Sequence, residues 1–157
     1  MPYEYHYQRH VEFGDTDLAG IVHFPNYFRY MEAAEHAFYL SLGFSVHNLF
    51  QGRLVTWPRV KAECSYARPL YFGDLVHIHL LVAEKRRKTI RYLFILQAER
   101  EGTLEEVARG SVTVVCASRD SETSTFRSIP IPPEVDNLIE VAPAELLDPV
   151  GRAVNKA

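Results

Sequence analysis

Several features that would announce a chemistry are missing from this sequence of 157 residues. Its two cysteines, Cys64 and Cys116, stand alone without C-x-x-C spacing, each inside an apolar-alternating run, which excludes a zinc ribbon or a disulfide framework and reads as buried thiols. No histidine pair has the spacing of H-E-x-x-H, so no metal is implied. No run approaches the roughly 18 apolar residues of a membrane span. The first residues hold no apolar secretory core, and a cytoplasmic protein is expected. A net charge of −3 gives no global attraction to nucleic acid or anionic membranes, so any anion site has to be local. Internal repeats and low-complexity tracts are also lacking.

What is present is the composition of one globular domain. The 47% hydrophobic and 24% charged content can fill a core and cover it. A domain over 1–140 is expected, followed by a tail over 141–157 that carries Pro143, Pro149 and Gly151. Apolar alternation predicts a strand over 3–13 and four more over 59–66, 76–82, 90–99 and 107–118. Between the first two strands, Tyr27, Tyr30, Met31, Ala34, Phe38 and Leu42 recur at helical spacing, predicting one long helix over 26–42 that ends at Gly43. Residues 44–58 show no clean period and read as a connection with room for a short helical turn. The pattern is α+β, an antiparallel five-stranded sheet wrapped around one central helix. The open edge of such a sheet needs covering, so a homodimer or homotetramer is expected.

The chemistry concentrates in residues 12–27. Asp15 and Asp17 follow the first strand, Gly20 permits a sharp reversal, and Pro25 suits the first turn of a helix whose N–H groups face back toward the loop. Asp-x-Asp beside a glycine is also a common turn in which the side chains accept local N–H bonds, and Asp15 reads as such a turn or capping residue. The segment resembles the active-site signature of the 4-hydroxybenzoyl-CoA thioesterase family of hot-dog-fold enzymes, with Phe13, Asp17, Gly20, Val22, Asn26 and Tyr27 in register. The resemblance implies a hot-dog fold, Asp17 as catalytic carboxylate, and a backbone N–H near Phe24 that polarises the thioester carbonyl. It also implies active sites at a subunit interface.

The cluster Lys85, Arg86, Arg87, Lys88 and Arg91 is a candidate grip for phosphates. Arg86, Arg87, Lys88 and Thr89 resemble the family's nucleotide-binding turn; a solvated hairpin tip is the plainer reading. Trp57, Phe24, Tyr27, Tyr66 and Tyr71 could line an aromatic acyl pocket or simply fill a small core. His23 precedes Phe24, whereas the related Tol-Pal-associated thioesterases place histidine after an aromatic residue. It is therefore assigned to substrate contact and not given that histidine's role. His6, His10, His36, His47, His77 and His79 read as solvated or structural, and Glu32 as part of a surface or interface ion pair.

Together these readings predict an acyl-CoA thioesterase, preferring an aromatic acyl group of hydroxybenzoyl or hydroxynaphthoyl type. It would need no cofactor, since coenzyme A belongs to the substrate. The alternatives are a dehydratase or hydratase on the same fold, for which His23 would have to pair with a carboxylate, and a non-catalytic acyl-CoA or acyl-carrier binding subunit.

Overall fold

Alternation at the start of the chain is realised as β1 (Glu4–His10), which pairs antiparallel with β5 (Leu75–Lys85) and sets Tyr7 opposite Ile78 and His6 opposite His79. The computed structural model describes residues 1–45, 48–50 and 52–148. From β5 the chain meanders through β6 (Thr89–Arg100) and β7 (Thr103–Val115), and β4 (Arg59–Tyr66) adds to the far side of β7. The sheet order is β1-β5-β6-β7-β4, the expected five strands.

Helix α1 (Asn26–Ser41) lies on the inner face, where Tyr30, Met31, Ala34 and Phe38 meet Ile78, Leu80, Tyr92, Phe94 and Val114, all buried. Each large apolar side chain removed from water contributes about 1.5–3 kcal/mol, so this one helix and one sheet face carry most of the fold. Gly110 belongs to the crossing point, since a Cβ there would overlap the Met31 sulfur. The helix ends as expected: Gly43 takes a φ of +91°, and the Phe44 N–H returns to the Tyr39 carbonyl at 3.1 Å.

Three expectations need correction. The first strand stops at His10, not at residue 13. Val11 donates its N–H to Asp74, and Phe13–Asp15 closes a 3-10 turn through a reciprocal capping box between Glu12 and Asp15. Local polar bonds outweigh the alternation there. The connection over 44–58 contains β2 (Asn48–Phe50) and β3 (Arg53–Thr56), which join β8 (Ala117–Arg119) and β9 (Phe126–Ser128) in a second, four-stranded sheet. Strands of three or four residues are too short for periodicity to register. The expected strand over 107–118 is thereby split at Cys116, whose N–H bonds the Lys88 carbonyl at 2.7 Å.

The third correction is the boundary after residue 140. Ala142 is buried, donates to the Val82 carbonyl at 2.8 Å, and joins Leu81, Leu93 and Leu147 in a small apolar cluster on the outer face. Residues 144–148 are helical. The remainder of the expected tail, 149–157, and His47 lie outside the described residues.

Candidate active site

The loop from β1 to α1 is built by Asp15. Its Oδ2 accepts the Tyr30 hydroxyl at 2.8 Å, the Glu12 N–H at 3.0 Å and an Arg9 guanidinium N–H at 3.5 Å. Its carbonyl accepts the His23 N–H at 2.9 Å and the Asn26 side-chain amide at 2.8 Å. Asp15 thus ties strand, loop and helix start together, and Asn26 owes its place in the motif to that bond. Burial and the Asp15 carboxylate both push the Tyr30 hydroxyl pKa up, so it stays a donor at every ordinary pH.

Asp17 is placed differently. Its backbone pairs with Ile21, and Gly20, at a φ of +78°, donates back to the Asp17 carbonyl at 3.0 Å, which makes the tight reversal. Of the carboxylate oxygens, Oδ1 accepts the Ala19 N–H at 2.8 Å, while among the described residues Oδ2 has only the His23 Nδ1 at 3.6 Å. The side chain is 34% exposed. One oxygen fixes its direction and the other is available.

The helix entrance supplies a matching donor. His23 donates to Asp15, Asn26 to His23, Tyr27 to Phe24 and Phe28 to Pro25, and Pro25 has no N–H to give. Among the described residues this leaves the Phe24 N–H without an acceptor. The Phe24 carbonyl accepts the Tyr66 hydroxyl at 3.1 Å, which holds the peptide from the β4 side. An uncommitted N–H at the positive end of a 16-residue helix is suited to a developing oxyanion. Cys64, beside Tyr66, is no rival nucleophile: burial pushes its thiol up to about 11, so it is protonated at neutral pH.

Not every expected residue gathers here. Trp57 is 2% exposed and packs on Tyr39 in the core, because the β3–β4 turn folds it inward. Tyr27 is buried too, edge-on to Tyr66 at 4.9 Å, and so supports the entrance from behind. Phe24, Tyr66 and Tyr71 are the exposed aromatic rings of this group.

The basic turn lies at the other end of the sheet. Tyr66 pairs with Ala108 and Ala108 with Leu96, whereas Ile90, just after the turn, pairs with Val114 in the row of Arg59. The strand from Ile90 to Leu96 runs roughly 20 Å at about 3.3 Å per residue. Within one chain, then, Arg86, Arg87, Lys88 and Thr89 are remote from Asp17. Lys85 is consumed by the Asp136 and Ile139 carbonyls, both at 2.7 Å, beside α2 (Pro133–Asp136). Arg86 pairs with Glu84, and Lys88 reaches Ser128. Of the four cations of the turn, Arg87 alone has no side-chain partner among the described residues.

Sequence reading missed the neighbours of that turn. A cavity of ≈ 850 Å³ over the small sheet is lined by Arg53, Arg119 and Arg127 together with Ser118 and Thr125. None of the three guanidiniums forms an ion pair among the described residues. Arg127 pairs with Ser118, and the next residue, Ser128, accepts Lys88, so the cavity lies beside the basic turn. A hairpin reading of the Ser/Thr-rich stretch around residues 120–125 would have brought Arg119 and Arg127 together.

A family model described as the thioesterase-like superfamily matches residues 11–139. A 1,4-dihydroxy-2-naphthoyl-CoA hydrolase of Synechococcus elongatus is 30% identical over 139 residues, 88% of this chain and 96% of its own. A 4-hydroxybenzoyl-CoA thioesterase of a Pseudomonas species is 30% identical over 128 residues, 80% of this chain and 89% of its own. Among solved structures, an aspartate-to-asparagine mutant of 4-hydroxybenzoyl CoA thioesterase, complexed with 4-hydroxybenzoyl CoA, aligns with a TM-score of 0.78 at 26% identity, over 88% of this chain and 99% of that one.

Proposed function

Because the chain belongs to the thioesterase-like superfamily, we propose that it hydrolyses an acyl-CoA with a hydroxylated aromatic acyl group, releasing the acid and coenzyme A. The observation that carries this reading is the pairing of a half-committed carboxylate, Asp17, with the free N–H of Phe24 across one short loop. Asp17 Oδ2 attacks the thioester carbon, the carbonyl electrons move onto an oxygen held by the Phe24 N–H, and the CoA thiolate leaves. Water then adds to the aspartyl carbonyl of the mixed anhydride and frees the acid. His23, close to Oδ2 and half exposed, contacts the substrate or the entering water. The relatives named above act on hydroxynaphthoyl and hydroxybenzoyl thioesters, and the exposed Phe24 and Tyr66 rings suit such a group.

Phosphate recognition falls to Arg87 and Arg127 and requires a second copy of the chain. Strand β4 is exposed along nearly its whole length, with one backbone edge unpaired by any described strand. Antiparallel pairing of two β4 edges would set the Arg59 end of one beside the Tyr66 end of the other, shortening the gap between each Asp17 and a basic turn. A homodimer, or a tetramer built from it, is therefore the functional unit. Among the described residues no helix is long and apolar enough to cross a membrane.

A panel of acyl-CoA thioesters with a free-thiol readout tests the reading. Hydroxybenzoyl- or dihydroxynaphthoyl-CoA is expected to be cleaved at least about tenfold faster, in kcat/KM, than acetyl-CoA. Tight binding of all substrates with no thiol released would make the protein a carrier-binding subunit instead.

A further inference from the structure

We propose that Glu4, His6 and His79 bind one divalent transition-metal ion of zinc-like character on the outer face of the sheet, the side turned away from α1. No ligand spacing is visible in the sequence, because the donors come from two strands. The antiparallel register of β1 and β5 sets His6 directly across from His79, and Glu4, two residues before His6, points to the same face. The two imidazole rings stack 4.1 Å apart with 12° between their planes. Glu4 Oε2 lies 2.8 Å from His79 Nε2 and 3.9 Å from His6 Nε2, and one donor atom from each residue falls within 4.8 Å of the others.

Two imidazoles and one carboxylate form a donor set that zinc, cobalt and nickel accept, with a coordination position left for water. Closing the donors onto bonds of about 2.0–2.2 Å takes side-chain rotation only. His6, 72% exposed, is free to make most of that movement, while Glu4 and His79, each about one-fifth exposed, are held by their neighbours. On the far side of His79 the sheet is apolar. Ile95 pairs with His79, Leu81 with Glu4, and both belong to the cluster that Ala142 closes. One flank of the site is dry and the other open, which favours a bound ion over two separately hydrated imidazoles. An ion held there would clamp β1 to β5 and stabilise the folded chain by linkage.

Metal-free protein carrying no histidine tag, titrated with Co²⁺ and followed by visible absorption, tests the assignment. Saturation at one Co²⁺ per chain, displaced by Zn²⁺, is expected. His6→Gln and His79→Gln should each weaken binding at least about tenfold, while His36→Gln, on α1, should leave it unchanged. Zn²⁺ should raise the Tm of the parent but not of His6→Gln, a change at an exposed position that leaves the fold intact. Absence of saturable Co²⁺ binding would overturn the proposal, as would equal binding by the parent and both strand variants.

Discussion

At the end of the sheet that carries the loop over 11–25, charge is held in fixed geometry, whereas at the end that carries residues 86–88 the guanidiniums of Arg87 and the neighbouring small sheet are left in solvent. Asp15 has three side-chain hydrogen bonds and Asp17 has one that sets its direction. Arg87, Arg53, Arg119 and Arg127 form no ion pair among the described residues, and Arg127 acts on the Asp120 carboxylate only through its charge. A carboxylate that reacts with a carbon atom loses rate when it is misplaced by an ångström, so the fold spends hydrogen bonds on its position. A guanidinium that steers a phosphate works through charge and can search for it. On this account one end makes and breaks bonds and the other captures the carrier.

The sharpest contrast lies within the ordered end. Asp17→Asn should lower kcat/KM at least about a hundredfold and move stability by less than about 0.5 kcal/mol, since its side chain is one-third exposed with a single local hydrogen bond among the described residues. Asp15→Asn should instead cost about 2 kcal/mol in urea unfolding, because Tyr30, Arg9 and the Glu12 N–H lose a charged acceptor. If Asp15→Asn keeps full stability while Asp17→Asn unfolds, the division between scaffold and reacting group is wrong.

One buried pair breaks the pattern at the loose end and can be tested by pH. Glu35, 1% exposed, accepts the Arg59 guanidinium at 2.8 Å, and its other oxygen has no partner among the described residues. Burial raises its pKa to about 7 against the opposing pull of Arg59. The folded protein therefore binds a proton more tightly than the unfolded chain between about pH 4.5 and 7, and Glu35's contribution is lost as pH rises through that window. Glu35→Gln should gain on the parent by about 3 kcal/mol from pH 4.5 to 8, read from denaturation midpoints at fixed protein concentration. A difference independent of pH would mean that Glu35 stays ionised throughout.

Removing the loose cations should have a smaller and more selective effect. Arg87→Ala combined with Arg127→Ala should raise KM about tenfold for the full acyl-CoA, with little change for the same acyl group on a pantetheine stub, which lacks the nucleotide phosphates. Equal losses on both substrates would make the basic end structural. Tyr66→Phe, which frees the Phe24 carbonyl without touching its N–H, should lower kcat only about threefold.

Periodicity made the scaffold legible: the stripe from Tyr27 to Phe38 marked the helix, and alternation marked all five strands of the main sheet. The turn or capping role read onto Asp15 matches its hydrogen bonding, because an Asp-x-Asp turn leading into a helix has few arrangements. What stayed hidden depends on register and on contacts between distant residues. Trp57 looks like a pocket residue beside Pro58, and only tertiary packing sends it to Tyr39. The strands of the small sheet are too short to show a period, which concealed Arg119 and Arg127. The distance between Asp17 and the basic turn needed the pairing of Tyr66, Ala108 and Leu96.

Attack by Asp17 on the thioester carbon is the central claim, and one turnover of excess enzyme in oxygen-18 water tests it most directly. Direct attack transfers an Asp17 oxygen to the acid, so the first-turnover acid carries no heavy oxygen and the label appears in the peptide containing Asp17. Heavy oxygen in the first-turnover acid, with none in that peptide, would show that Asp17 only activates water and would contradict the claim.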